Sequence, residues 1–331
     1  MNGSKLIKVL RRYSPSLFET LPNRLGSLKG KRIVIDGTQY MINSRRMTGY
    51  GLYSHILGWY SLAKELSNNR VSAICVFDGG WEYMIQRLAP HKEILPLGQV
   101  PDYSQSKTEW LKARRDEERS TLSSYLRHCM KLLRSMGIPC IVSTRPVSAE
   151  ALASSLVMSG HADYVAGDNP AALVYGAPLI QNLLPMIPDP IEVVGFPKKS
   201  IYGTLRMSKI TLMDLEILLR PGSNSFPYRV VFTPDQAYYL IRRHGTIENI
   251  SNALQLDRSY LPPQSTFALR DGYMDRVRIA RRLFELPPLP PYSAFQHVEP
   301  HPEVTSEFMK ELDSQLDQLI TPMDSYKMEL S

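Results

Sequence analysis

Along the chain, short apolar runs rich in β-branched residues alternate with longer stretches whose apolar positions recur every three to four residues. Lys31 and Arg32 lead into "IVIDGT", an apolar run ending in Asp36; "VSAICVFDGG" repeats the form and ends in Asp78; "GIPCIVS" is a third such run. Each is flanked by helical spacing, which predicts strands of βαβ units and an α/β fold around a largely parallel central sheet. Ser148 reads as the N-cap of a helix with Ala149, Ala151, Leu152, Ala153 and Leu156 on its apolar face. That helix feeds a short apolar run at Tyr164 to Ala166 and a turn at Gly167 to Pro170. Helical spacing also covers Ser120 to Met136, with Leu122, Tyr125, Leu126, Met130 and Leu133 inward. Beyond the proline-rich connector from Pro185 to Pro197 it returns at Thr211 to Leu219, Pro234 to His244, Ile247 to Leu254 and Asp271 to Phe284. "ELPPLPPYSAF" then favours an extended polyproline segment. In the tail from Glu303 to Ile320, Phe308, Leu312, Leu316 and Leu319 share one helical face, a surface for docking on the body or on a partner.

Open α/β sheets place ligands at the carboxyl ends of their strands, so Asp36 and Asp78 stand where they could face one crevice. The alternative is that each caps the next helix or turn. Trp81 to Arg119 is polar and irregular, then helical in spacing, with Lys112, Arg114 and Arg115 set among acids. A late helix gathers Arg278, Arg281 and Arg282. Both basic faces read either as solvated surface or as phosphate contacts. At the amino end Lys5, Lys8, Arg11 and Arg12 oppose Leu6, Val9 and Leu10, as in the first helix of a folded body or in a mitochondrial address.

Composition narrows the classes. A chain of 331 residues with 43% hydrophobic content can bury a large core. No apolar run reaches the roughly 18 residues of a membrane span, so no membrane partner is expected. Three cysteines, Cys75, Cys129 and Cys140, lack paired or zinc-ligand spacing, which fits a reducing compartment. The net charge of +7 and pI near 9.2 suit a polyanionic partner without requiring one.

Taken in order, "SKLIKVLRRYSPS", "KRIVIDGT", "VFDGG", "LLRSMGIP", "AEALASSL", "YGAPLI", "MDLEILL", "AYYLIRRHGTIENI" and "ARRLFELP" resemble the flap endonuclease and XPG-like family of structure-specific nucleases, from Lys5 to about Leu286. The resemblance implies a PIN-like parallel sheet flanked by helices over residues 1–200, with an arch-like insertion at about 81–119. It further implies a degenerate helix-hairpin-helix-like DNA-binding module over 201–286, followed by a connector and tail over 287–331. In that family a carboxylate cluster holds two magnesium ions for phosphodiester hydrolysis. Asp36 and Asp78 match the first two acids and Glu150 matches the second of a glutamate pair, whose first member is Ser148 here. Asn169 and Ala171 stand where two aspartates precede the "LVYG" run, Asp168 falls one residue early, and Gly222 replaces the last aspartate. Val231, Phe232 and Thr233 occupy the family's glycine-rich phosphate-binding turn, and Ile42 the place of a base-stacking tyrosine.

The expectation is a vestigial metal site on a catalytically degenerate chain that serves as a nucleic-acid-associated scaffold, with no cofactor. The alternatives are an active, magnesium-dependent 5′ flap endonuclease or exonuclease of DNA replication or repair, using Asp36, Asp78, Glu150 and Asp168, and a protein-only module. Expected partners are DNA or RNA, through Lys112, Arg114, Arg115, Arg278, Arg281 and Arg282, and proteins through the tail. The expected location is intracellular, in the nucleus or a mitochondrion.

Overall fold

Five strands run parallel at the centre of the computed structural model, which describes residues 4–45, 54–79, 107–144, 146–183, 190–195, 200–219, 232–256, 273–312 and 314. They are β2 (Arg32–Asp36), β3 (Ser72–Asp78), β4 (Cys140–Ser143), β5 (Tyr164–Ala166) and β6 (Leu179–Gln181). With β1 (Phe18–Thr20) and β7 (Glu192–Val194) they form a seven-stranded sheet in the order β1-β7-β6-β5-β2-β3-β4. The expected parallel sheet is thus mixed at one edge: β7 runs antiparallel to both β6 and β1. Its residues carry no local mark of that direction, because pairing with strands far away in sequence sets it.

Alternation along each strand sorts the core into two faces. Val34, Val76 and Val165 point to one face, Ile35, Phe77 and Ala166 to the other. The first is covered by α1 (Lys5–Tyr13), by α5 (Ala149–Met158) and α6 (Ala171–Tyr175), and by a helical layer. That layer contains α7 (Ile201–Leu205), α8 (Lys209–Leu219), α9 (Pro234–His244), α10 (Ile247–Leu256) and α11 (Tyr273–Arg282). One apolar core therefore runs from the sheet into the segment after residue 200, joining Val34 and Leu156 to Leu212, Ile241 and Val277. The second face is covered by α2 (Gly37–Arg45), α3 (Ser54–Asn68) and the 29-residue α4 (Lys107–Ser135). Gly37 opens α2 against the ring of Phe77, where a Cβ would lie 2.6 Å from the nearest ring carbon.

The basic amino end is a folded helix, with Leu6 and Leu10 fully buried. The carboxyl-terminal tail docks on the body. Residues 302–312 are helical and bury Phe308 and Leu312 on the second face. His301 N–H donates to the Ser135 carbonyl at 2.7 Å, and Thr305 and Ser135 share a 2.8 Å hydroxyl contact. Leu316 and Leu319, Gly222, Val231 and the stretch 80–106 lie outside the described residues. Among the described residues no helix is long and apolar enough to cross a membrane.

Candidate functional site

The carboxyl edge of β2 and β3 brings Asp36 and Asp78 to adjacent parallel strands, both with the parity of the α5 face. Each has a backbone partner. Asp36 Oδ1 accepts from the N–H of Gln39 at 3.0 Å, which makes it the N-cap of α2. Asp78 Oδ1 accepts from the N–H of Ala149 at 2.7 Å, at the start of α5, while its own N–H donates to the Thr38 hydroxyl at 2.8 Å. Ser148, where the resemblance places a glutamate, caps α5 by accepting from Ala151 N–H at 3.3 Å. A helix cap thus stands where the resemblance implies a ligand.

The turn after β5 separates Asp168 from Asn169. The two side chains take partners on different helices. Asn169 turns toward α5, where its amide donates to the Glu150 carboxylate, and its Oδ1 accepts from the Ala171 N–H at 3.0 Å. Asp168 turns toward α2 and accepts from the Asn43 amide at 2.7 Å; Asn43 Oδ1 in turn accepts from Gln39 Nε2 at 3.0 Å. Burial pushes the Asp168 carboxyl up, and the bond from Asn43 opposes that shift. Asp36 and Asp168 do line one small recess, with Gln39, Tyr40, Asn43 and Leu183. Ala171 and Ile42 are buried packing residues.

Among the described residues no three His, Cys, Asp or Glu side chains come together as a metal would need. A two-ion centre needs several carboxylate oxygens on shared cations. One oxygen of each acid is engaged within the protein: Asp36 and Asp78 accept from backbone N–H groups, Glu150 and Asp168 from side-chain amides.

The helical layer engages one of the bases expected to meet nucleic acid. Arg281 is not a free phosphate ligand: it makes two hydrogen bonds to Asp214, at 2.7 and 2.6 Å, and two to Glu248, each at 2.6 Å. The pairs tie α8, α10 and α11 together. Burial pushes the Asp214 carboxyl up while Arg281 opposes it, and the Arg281 hydrogen bond holds Glu248 below its ordinary range. Arg278 is exposed and paired with Asp275 at 2.7 Å; Arg282 is exposed. Lys112, Arg114 and Arg115 lie on α4, and their side chains are outside the described residues. At the start of α9, Thr233 Oγ1 accepts from Gln236 N–H at 3.2 Å and Gln236 Oε1 from Thr233 N–H at 3.0 Å. This capping box uses donors that a phosphate-binding helix start leaves open. Phe232 is buried beside it.

No family model matches this chain. Its sequence is 26% identical over 279 residues to flap endonuclease 1 of Meyerozyma guilliermondii, covering 76% of this chain and 70% of that protein. It is also 26% identical over 317 residues to flap endonuclease 1 of Lodderomyces elongisporus, covering 88% and 77%. By sequence, the chain is flap-endonuclease-like. The fold agrees: the catalytic core of Rad2 in complex with DNA substrate superposes with a TM-score of 0.62 at 20% identity, over 91% of this chain and 93% of that one. Flap endonuclease-1 of Methanococcus jannaschii gives 0.59 at 21% identity, over 88% and 94%.

On this flap-endonuclease-like frame, Asn169 offers a direct check. Asn169→Asp sets a second carboxylate against Glu150, and two acids so close must share a proton. The pair then binds protons more tightly folded than unfolded, so the penalty is absent in acid and grows as pH rises through the carboxyl range. Urea unfolding should show a loss of about 1–3 kcal/mol at pH 7 that largely disappears at pH 4. An unfolding midpoint equal to that of the unsubstituted chain at both pH values would remove the Asn169–Glu150 bond from the account.

Proposed function

We propose that this chain is a nucleic-acid-associated scaffold on a flap-endonuclease-like fold that has given up phosphodiester hydrolysis. The observation that carries the reading is the Asn169 amide bonded to Glu150. It places a neutral donor where the resemblance puts a metal-binding aspartate, so the amide meets the carboxylate in place of a cation. The capping box on α9 supports the same direction, since the helix start satisfies its own donors. DNA is the favoured partner, because the Rad2 neighbour is described in complex with a DNA substrate and this chain carries a net charge of +7.

The test is cleavage and binding together, on labelled single-flap DNA and matched RNA, with magnesium and manganese. The expected result is salt-sensitive binding without product, unchanged in Asp36→Ala/Asp78→Ala molecules that still melt cooperatively. Metal-dependent product abolished in that double variant overturns the reading. Absence of salt-sensitive retention on either nucleic acid points to a protein-only role. One observation favours a second reading, a residual metal-dependent nuclease: Asp36 and Asp168 line the same recess. Product lost in Asp168→Asn as well as in Asp36→Ala would select it.

A further inference from the structure

Residues 286–291 follow α11 without helix or strand and lead into a 3-10 turn at Tyr292–Ala294. The segment reads Leu286-Pro287-Pro288-Leu289-Pro290-Pro291-Tyr292. Proline fixes φ near the polyproline II value and removes a backbone donor, and Pro291 sits at φ −53° and ψ 142°. Polyproline II turns once every three residues, so Pro288 and Pro291 share one edge of the ridge and Pro287 and Pro290 another. Exposure follows that period. Pro288 and Pro291 are exposed; Pro287, Leu289 and Pro290 are partly covered, and Leu289 packs on the core. Tyr292, next after the outer prolines, is 61% exposed, its ring edge-on to Phe295 at 5.2 Å.

Both ends of the ridge are fastened. The Ser155 hydroxyl donates to the Pro287 carbonyl at 2.7 Å, and the Arg32 guanidinium donates to the carbonyl of fully buried Phe295 at 2.5 Å. The ridge is therefore ordered before any partner arrives, which lowers the entropy cost of binding.

We infer that this ridge docks a small partner domain whose aromatic-lined groove reads polyproline II followed by tyrosine. Such grooves take a preformed ridge that carries no internal hydrogen bonds, which is what the outer edge of Pro288 and Pro291 presents. Grooves that add acidic walls to read a flanking cation are disfavoured, because no Lys or Arg occurs from Leu283 to Pro300. Tyr292 instead supplies an aromatic body with a polar tip, the kind of side chain that anchors interfaces. The assignment stands on these residues alone and is independent of whether the acidic edge binds metal.

The experiment titrates the full chain with a purified WW domain selective for proline-proline-tyrosine ligands, and with an SH3 domain for comparison. Saturable binding of the WW domain in preference to the SH3 domain is expected. Pro288→Ala/Pro291→Ala and Tyr292→Ala should each weaken it by at least about tenfold, whereas Pro287→Ala on the inner edge should stay within about twofold. Unchanged thermal melting of these variants separates lost contacts from lost folding. No binding to the WW domain, an SH3 preference, or equal losses at inner and outer prolines overturns the inference.

Discussion

Arg281→Ala is expected to destabilise the fold by about 3–5 kcal/mol, because it leaves the fully buried Asp214 carboxylate without its counter-ion. Asp214 keeps the N–H of Ile247 at 3.0 Å, and Glu248 loses its guanidinium. Removing a partner costs more than removing the pair, so Asp214→Ala/Arg281→Ala should be less damaging than Arg281→Ala alone. Denaturant unfolding of the three variants measures both statements. A loss below about 1 kcal/mol for Arg281→Ala would return Arg281 to the set of exposed bases available to nucleic acid.

Acid should expose a second weak point at His55. This residue of α3 is fully buried, and among the described residues neither ring nitrogen has a hydrogen-bond partner. Its ring lies 4.4 Å from Tyr125 and 6.5 Å from His128, centroid to centroid. Burial, then the charges of Arg45 and His128, bring its pKa down from 6.5 to about 3. The unfolded chain takes the proton near pH 6.5, and the folded one holds out until about pH 3. Between those values the unfolded state binds more protons, so stability is unaffected above the window and falls as pH drops through it. The slope is at most about 1.4 kcal/mol per pH unit, on the order of 5 kcal/mol across the window. His55→Phe removes the titration and both orphaned nitrogens. Its stability should match or exceed that of the unsubstituted chain at pH 8, with a clearly flatter acid limb from pH 6.5 to 4. Parallel stability curves for the two proteins over that range would show that His55 does not govern the acid response.

Much of the frame was legible in the residues. β-branched runs at Arg32–Asp36 and Ser72–Asp78 became strands, and the helix expected at Pro234 to His244 has those bounds. These features are local, set by side-chain period and by caps such as Thr233. Where periodicity met a long-range choice, it was silent. The charged piece before Ser120 and the amphipathic piece after it form one helix, and the three-residue strands β1 and β7 are set by pairing, β1 on β7 and β7 on both β1 and β6. The basic helix face at Arg281 looked the same in sequence as a solvated or phosphate-binding one, until Asp214 and Glu248 arrived from other helices. Asn43 and Gln39, which meet Asp168 and its neighbourhood, carried no signal as site residues. The one available clue was helical spacing, which sets them four residues apart on one face of α2.

At the acidic edge the two kinds of information divide sharply. The sequence by itself determined that Asp36 and Asp78 end strands of a βαβ pattern and that Ser148 begins a helix, while the displacement of Asp168 by one residue is what the family resemblance implies. Only the tertiary structure decided what those acids touch: backbone N–H groups for Asp36 and Asp78, Asn169 for Glu150, and Asn43 for Asp168. The reason is physical. Side-chain period states which way a residue points from its own strand or helix, whereas a hydrogen bond needs a second element that only packing brings within about 3 Å.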